Sequence, residues 1–347
     1  MRRRALLAAG LSLPFAAACG PSVAQGGLTL PDMPLHDPWI VADKASGTYY
    51  LYTSNIGRIS GEAGIGVMAY TSKDLRNWQK AKRVFALPQG IWANAGCWAP
   101  EVHEWKGRHY LFVTVHNDAL PLPGNGNGSG EKLIRRSTIL AVSDSLDGPF
   151  TVVRDAEPVV SKDLMTLDGT LYVDTSGQPW MVYAHEWIQT RIGTMEAVPL
   201  DDDLKAKGPP ILLFKGSDSP DATPQRETGS VVTDGPELYH TGDGSLVMLW
   251  SSWGADGYIQ TQAVSTSGKL EGPWKQLPHM LGKGSGHGMV FTTFDDRRML
   301  IVHRPFKNAR GKLYDIDDSG DRIVVVSPRP DLDFDPAPLY PNPLIAK

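Results

Sequence analysis

Five short segments of the sequence each begin with a residue that could do chemistry, and each lies 12 or 13 residues before a strongly apolar run. Their first residues are Asp37, Trp98, Asp168, Asp234 and His287. Two carboxyl groups facing one pocket can act as general acid and general base, and a third nearby raises the acid's pKa by repulsion. The two carboxyl groups are the minimum for hydrolysing a glycosidic bond, and an indole face suits the C–H side of a sugar ring.

The apolar runs that follow predict the elements that hold these residues. They start at Tyr50, Tyr110, Trp180, Leu246 and Met299, with separations of 60, 70, 66 and 53 residues. Each follows a turn signal, and the chain holds 36 Gly and 27 Pro, which is typical of many short strands joined by turns. A period near 60 accommodates the four strands of one propeller blade. The sequence therefore predicts an all-β, five-bladed β-propeller over residues 28–347, with a Pro-rich C-terminal tail.

If each segment opens the innermost strand of its blade, the five first residues form a ring around the propeller axis. Carboxylates brought together inside a protein are costly, so stability alone gives no reason to collect them there. Each Asp precedes Gly or Pro. Taken singly, an Asp in that position is often a turn residue. Their shared register favours the functional interpretation for the set. Cys97 has no partner for a disulfide and is expected to be a buried apolar side chain.

The N-terminus has the pattern of an export signal. Residues 1–24 carry Arg2, Arg3 and Arg4, then about a dozen apolar residues and then small ones, as in secretory signals. The paired arginines also fit a twin-arginine signal. Cleavage after Ala24, or lipidation at Cys19, are the two alternatives. We expect an exported protein, periplasmic or extracellular, with no membrane contact beyond a lipid anchor.

The charge balance excludes a further class of partner. The chain has 34 Lys and Arg against 38 Asp and Glu, a net charge of −4. A nucleic-acid-binding protein needs a strong positive field, which this chain does not have. An oligo- or polysaccharide is the expected partner.

The chain resembles the five-bladed propeller glycosidases of glycoside hydrolase family 43. The matching motifs, in the family's order, are His36-Asp37-Pro38-Trp39-Ile40, Trp98-Ala99-Pro100-Glu101-Val102, Leu167-Asp168-Gly169-Thr170-Leu171, Thr233-Asp234-Gly235-Pro236 and Gly286-His287-Gly288. The resemblance implies an inverting hydrolase acting on α-L-arabinofuranosides, β-D-xylosides or similar plant-type linkages. An inverting mechanism would set the base and acid carboxyls roughly 6.5–9.5 Å apart.

The resemblance also implies roles for single residues. Asp37 matches the general base and Asp168 the residue that tunes the acid. At the acid position the family has Glu and this chain has the shorter Asp234. Glu237 and Glu186 are therefore rivals, although Glu237, three residues on, is expected to face the other side of its strand.

His287 matches the family's axial histidine, which is often linked to calcium, so a calcium ion in the axial channel is an expectation. Four residues are candidates for substrate binding: Trp39, Trp98, Glu101 and Arg304. Each has an alternative role. The alternatives are packing for Trp98, pairing with a neighbouring blade for Glu101 and an interblade ion pair for Arg304.

Two other functions remain open. One is a related five-bladed fold that cleaves fructosides with retention, through a nucleophilic Asp in the first blade. The other is a glycan-binding propeller that has lost catalysis, for which the missing Glu gives a reason.

Overall fold

The structure is a computed structural model that describes residues 27–334. It contains five antiparallel sheets of four strands, each sheet built from consecutive strands of the chain. The predicted five-bladed propeller is confirmed. The export signal, with Cys19, and the last part of the C-terminal tail lie outside the described residues. No helix in the described part of the chain is long and apolar enough to cross a membrane.

The strands of each blade follow one another along the chain, from the innermost to the outermost. The first blade holds β1–β4, at Trp39–Asp43, Thr48–Ser54, Gly66–Ser72 and Lys82–Ala86. The second holds β5–β8, at Ala95–Trp105, Arg108–Pro121, Ile134–Ser143 and Thr151–Val152. The third holds β9–β12, at Thr166–Val173, Pro179–His185, Thr194–Pro199 and Ile211–Lys215. The fourth holds β13–β16, at Asp234–His240, Leu246–Gly254, Gly257–Ser265 and Trp274–Gln276. The fifth holds β17–β20, at Gly286–Thr292, Arg298–Arg304, Arg310–Asp317 and Val324–Pro328.

Helical segments are short and lie between or after the strands. The α-helical turns are α1 Gly57–Ser60, α2 Trp187–Thr190 and α3 Pro330–Asp333. The 3₁₀ turns are Leu30–Asp32, Arg154–Ala156 and Gly216–Asp218. The described part of the C-terminal tail packs on the last blade, because Asp333 accepts a hydrogen bond from the Leu313 N–H at 3.0 Å.

The core lies between the faces of neighbouring blades. The second strands are buried on both faces, as β2 shows: all but the last residue of Tyr-Tyr-Leu-Tyr-Thr-Ser are buried. Aromatic and β-branched residues fit this pleated, two-sided environment. Blades one and five meet where Tyr49 stacks on Phe294, with ring centroids 3.9 Å apart. The N-terminal segment adds to this closure, because the Leu35 N–H donates to the Ala309 carbonyl at 3.0 Å.

A left-handed residue at or near the start of each innermost strand decides which side chains reach the axis, and in blades two to five it lies at a shift in strand register. Asp37, Asp168 and His287 have φ of 48°, 55° and 48°, a left-handed conformation that non-glycine residues adopt at a cost. Ala99 and Gly235 occupy the same place in β5 and β13, with φ of 41° and 54°.

The ring predicted from the sequence is therefore wrong in its register at two of five positions. Trp98 and Asp234 lie one residue before the left-handed position, which Asp37, Asp168 and His287 themselves occupy. The pairing shows the shift: Asp234 pairs with Ser251 as Gly286 pairs with His303. Equal spacing in sequence concealed the shift in the fourth blade because its apolar run begins at Leu246, opposite the last residue of β13, whereas that of the fifth blade begins at Met299, one residue later in the hairpin.

The left-handed glycine of β13 gives a prediction about stability. A Cβ at Gly235 would lie 2.8 Å from His287 Cδ2 and 2.9 Å from Cγ, whereas one at Gly244 would meet nothing within 4 Å. Both residues have positive φ, so Gly→Ala costs about 1 kcal/mol of strain at each. We expect Gly235→Ala to lower the melting temperature clearly more than the control Gly244→Ala, as measured by calorimetry. Equal losses would contradict close packing of His287 on this glycine.

Candidate active site

A pocket of about 430 Å³ opens at the end of the axis where the innermost strands begin. All five predicted ring residues line it. The full lining is His36, Asp37, Ser54, Trp98, Leu167, Asp168, Asp234, Tyr258, His287 and Phe306. The structure thus brings the three predicted carboxyl groups to one pocket. All five blades contribute to it.

Asp37 is surrounded by imidazole rings. Its Oδ1 lies 2.9 Å from His36 Nδ1, 3.2 Å from His287 Nδ1 and 3.2 Å from His303 Nδ1. The Asp37 backbone nitrogen also lies 3.3 Å from His303 Nδ1, and a hydrogen bond between the His303 ring and the carboxylate lowers the pKa of Asp37. The described contacts of the carboxyl group therefore converge on one oxygen, Oδ1.

These neighbours keep Asp37 ionised. Burial by itself would raise the pKa of Asp37, but the charges of His287 and His36 outweigh it and hold that pKa well below its usual value. In return, the carboxylate raises the pKa of His36 to about 9 against the opposing effect of burial. The pKa of His303 falls to about 4 because the ring is buried. At neutral pH Asp37 is thus an anion beside at least one imidazolium.

Asp168 and Asp234 have the opposite tendency. Burial raises the pKa of each to about 7, and the charge of Asp168 adds to the effect on Asp234. Asp168 Oδ2 accepts the Gly235 N–H at 3.0 Å and lies 3.8 Å from His287 Nδ1. A backbone donor and an imidazole favour the ionised form of Asp168. The retained proton is therefore better placed on Asp234, because burial and the charge of Asp168 outweigh the opposing hydrogen bond that its Oδ2 accepts from the Tyr258 hydroxyl at 2.8 Å.

Trp98 forms one wall of the pocket and is held from behind. It is 38% exposed, with the Arg136 guanidinium 4.7 Å from its ring centroid and the His116 ring at 4.7 Å. Arg136 is in turn bound by Glu186, with Nη1 and Oε1 2.5 Å apart. An exposed indole face fixed by a cation suits the apolar face of a sugar.

Glu186 is a buried partner of this wall. It is 3% exposed, and its Oε2 has no hydrogen-bond partner within residues 27–334. Burial raises the pKa of Glu186 to about 7, Arg136 opposes the shift and Asp234 adds to it. Glu186 is not among the residues that line the pocket. Its place favours a role behind Trp98 and Arg136 over direct proton donation.

Below the pocket, a narrow axial cavity of about 10 Å³ receives the next layer of side chains. Glu101, Glu237, Trp39 and Met289 line it beneath Asp37 and His287. The expectation that Glu237 faces away from the axis is wrong, because the register shift between Asp234 and Glu237 turns it inward one layer down. Its Oε2 is buried without a partner in the described chain, and burial raises its pKa well above the usual value.

Three of the four substrate-binding candidates lie away from the open pocket. Glu101 is buried in the axial cavity, where its Oε2 lies 2.9 Å from His103 Nε2. Trp39 is buried there too and donates its Nε1–H to the Val102 carbonyl at 3.1 Å. Arg304 ends β18 and is outside the residues that line the pocket. Trp98 alone of the four lines it.

The calcium expected near His287 stays a prediction. His287 directs Nδ1 at Asp37 and Asp168, and their charges, with that of Asp234, raise the pKa of His287 against the effect of burial. A protonated imidazole has no lone pair for a metal, so this donor set does not fit an ion held by His287. The oxygen donors of the axial cavity, Glu101 and Glu237, are the kind that calcium prefers.

Several residues of the pocket were not assigned to it from the sequence. His303 and His36 contact Asp37, Tyr258 donates to Asp234, and Phe306 packs edge-on to His36 at 5.1 Å. Tyr258 begins a third strand, where no spacing rule applied. His303 follows the apolar run Met299–Val302 by one residue, which was the available signal.

The chain belongs to the glycosyl hydrolases family 43, whose profile matches residues 32–318. The sequence-based assignment to this class of hydrolase, made from the five motifs, is thereby confirmed. The match extends from the segment before Asp37 to the end of β19 in the fifth blade. It therefore includes every residue of the pocket.

The chain is similar to several characterised or solved relatives. The chain is 34% identical to an endo-arabinase from Bacteroides thetaiotaomicron, covering 84% of this chain and 97% of that one, with a TM-score of 0.73. A thermostable family-43 glycoside hydrolase has the same fold, at 19% identity and a TM-score of 0.68 over 90% of this chain and 97% of that one. An extracellular exo-α-(1→5)-L-arabinofuranosidase of Cellvibrio japonicus is 26% identical over 233 residues, or 63% of this chain. That match spans 59% of the relative's own length.

The raised pKa of Asp234 gives a prediction with a definite sign. An acid whose pKa is near 7 when folded and near 3.8 when unfolded makes the protein less stable as pH rises between those values, because the unfolded state then binds fewer protons. Asp234→Asn removes this penalty. We expect its melting temperature to exceed that of the wild type at pH 8 and to match it near pH 4. The exposed Asp163, changed to Asn, is the control, and an equal gain at both pH values would contradict the buried-acid interpretation.

Proposed function

We propose that this protein hydrolyses glycosidic bonds in a plant-type glycan with inversion at the anomeric carbon. The observation that supports this most directly is the opposite tuning of the carboxyl groups in one pocket. Asp37 is kept ionised by imidazoles, whereas burial and mutual repulsion keep a proton on the Asp168–Asp234 pair. A base and an acid in one site, each in its working protonation state, are what single displacement needs.

In the proposed mechanism Asp37 acts as general base through Oδ2, because Oδ1 is occupied by three imidazoles. It takes a proton from a water molecule as the water oxygen bonds to the anomeric carbon. The bond from that carbon to the leaving oxygen breaks, and Asp234 gives the leaving oxygen its proton. The products are a free sugar end of inverted configuration and an alcohol. Solvent then returns a proton to Asp234 and removes one from Asp37.

Asp168 acts through Asp234 in this mechanism. Its charge raises the pKa of Asp234, and its hydrogen bond to the Gly235 N–H ties it to the residue next to the acid. Trp98 supplies the flat surface for the sugar ring. The histidines around Asp37 fix its carboxylate plane and offset the cost of a buried charge.

The substrate class that we propose is α-L-arabinofuranoside, with β-D-xyloside as the alternative. Two relatives, one an endo-arabinase and the other an exo-α-(1→5)-L-arabinofuranosidase, support the first. The relative described as extracellular supports export of this chain, in agreement with the signal-like residues 1–24. Lipidation of Cys19 remains part of the proposal and is tested by mass spectrometry of the exported protein.

Asp37→Asn tests the base. The amide cannot accept a proton from water, so kcat on an aryl α-L-arabinofuranoside should fall by about 10³-fold or more, with KM little changed. Circular dichroism and the melting temperature show whether the fold is intact. Near-normal turnover in a folded variant would reject the assignment.

The configuration of the first product distinguishes inversion from the retaining alternative, and proton NMR during turnover reads it directly. A set of aryl arabinofuranosides, xylosides and galactosides distinguishes an enzyme from a glycan-binding propeller. Binding without turnover on all of them would favour the second.

A comparison of leaving groups identifies the acid. Loss of a general acid slows substrates with poor leaving groups and spares those, such as dinitrophenyl glycosides, that need no protonation. We expect this selective loss in Asp234→Asn, and retained activity in Asp234→Glu. Glu186→Gln keeps a hydrogen bond to Arg136 and should slow both substrates equally and modestly.

The reverse pattern, with selective loss in Glu186→Gln and little effect in Asp234→Asn, would move the acid role to Glu186. A selective loss in neither variant would contradict both assignments.

A further inference from the structure

A second groove lies on the same face of the propeller as the catalytic pocket, about 420 Å³ in volume. It is formed around the fourth blade by three segments: Pro220–Thr223 in the connection that enters the blade, the Gly254–Asp256 turn, and the stretch His279–Lys283 in the connection that leaves it. Nothing in the proposed mechanism uses it. Its volume is within the usual range of about 300–1,000 Å³ for small-molecule sites.

The strand register fixes the position of this groove relative to the pocket. Asp234 pairs with Ser251, and β14 continues three residues beyond that level to Gly254, which pairs with Gly257. The turn between them therefore rises on the face where Asp234 lies. The third segment joins the same face, since the Gly284 N–H donates to the Tyr258 carbonyl at 2.9 Å.

Two aromatic side chains separate the groove from the pocket. Trp253 and Tyr258 pack with ring centroids 5.5 Å apart. Each is the immediate chain neighbour of a groove residue, Gly254 and Ile259, and Tyr258 also lines the pocket. Because neighbouring residues of a strand point to opposite faces of its sheet, the pocket and the groove lie on opposite sides of the β14–β15 hairpin. A chain of sugar units leaving the pocket would reach the groove by crossing the end of this hairpin beside Trp253.

The polar side chains of the groove are two carboxyl groups, an imidazole, a hydroxyl and an ammonium, from Asp221, Asp256, His279, Thr223 and Lys283. Asp221 Oδ2 accepts both the His279 N–H, at 2.7 Å, and His279 Nδ1–H, at 2.9 Å. Asp256 adds an exposed carboxylate at the turn, and buried Met280 and Ile259 give an apolar floor.

This chemistry defines the ligand class. Hydroxyl groups both donate and accept, so they suit a groove that has carboxylate acceptors and an ammonium donor. Two carboxylates against one ammonium leave the groove without the net positive charge that favours phosphates and uronic acids. An apolar floor suits the C–H face of a sugar ring. We propose that the groove binds a distal part of a neutral polysaccharide chain whose end or internal linkage occupies the catalytic pocket. This inference rests on the proposed function for the identity of the chain.

The position of Thr223 supports a preformed site. Its N–H donates to the Trp253 carbonyl at 2.7 Å, so the first groove segment is fixed to the strand that carries the aromatic wall. Together with the doubly bonded Asp221–His279 pair, this contact orders two of the three walls without a ligand. Preordered walls reduce the entropic cost of binding.

The test compares a long and a short substrate in the same variants. For Asp256→Ala and Asp221→Ala combined, we expect KM for linear α-1,5-L-arabinan to rise about tenfold, equivalent to about 1.4 kcal/mol. Both kinetic parameters on an aryl α-L-arabinofuranoside, which fills only the pocket, should be unchanged. Asp202→Ala is the matched control. Asp202 follows β11 on the opposite face of the propeller from the groove and pairs with the exposed Lys106.

A milder variant guards against misfolding. Asp256→Asn keeps a side-chain acceptor on an exposed turn and should retain most of the affinity for arabinan. If the wild type is active on both substrates and the double variant has an unchanged KM for arabinan, the proposal that the groove binds the polysaccharide is rejected, while the proposed function stands.

Binding measured without turnover covers the remaining case. In affinity electrophoresis through gels containing linear arabinan, wild-type protein and Asp202→Ala should be retarded and the double variant should not. Equal mobility of the wild type and the double variant would reject polysaccharide binding in the groove, whether or not the protein hydrolyses arabinan.

Discussion

The structure depends on the way it neutralises a cluster of acids buried at the propeller axis. Asp37, Asp168 and Asp234 share a pocket, with Glu101 and Glu237 one layer below. Five ionised carboxylates in such a space would repel one another strongly. The protein lowers this cost in two ways. It places imidazoles on one acid, and it leaves most of the others protonated.

These two ways also divide the chemistry between the acids. The acid with imidazole neighbours becomes the base, and an acid that keeps its proton becomes the donor. His287 lies between the two groups, 3.2 Å from Asp37 and 3.8 Å from Asp168. It therefore couples their charges, and a change at either carboxylate would be felt at the other. Tyr258 has a comparable double position, since it donates to Asp234 and stacks on His303 at 5.5 Å.

The backbone that holds the cluster is itself strained. Three of the site's side chains stem from residues with positive φ, at Asp37, Asp168 and His287. Such conformations persist where the surrounding structure fixes them. Here the bulges turn successive side chains of the innermost strands toward the axis, so one layer lines the open pocket and the next lines the narrow cavity below it. Proximity of the second groove to this pocket follows from the same blade geometry, because the hairpin turns of the outer strands rise on the face where the inner strands begin.

The sequence by itself determined the number of blades, the strand type and the identity of the three pocket aspartates. A repeat of similar length and a chemical residue at a fixed distance before each apolar run are properties of the chain, visible without coordinates. What the tertiary structure alone decided was which layer each side chain joins. Glu237 and Glu101 lie three residues after Asp234 and Trp98 in the inner-strand motifs. A shift in strand register between the two positions places both glutamates in the layer below the pocket. Since strand side chains alternate with a period of two, one extra residue reverses a prediction of facing. The partners of Asp37 and Trp98 were also decided there, because His303, His36 and Arg136 come from strands and loops whose meeting at the axis no local spacing specifies.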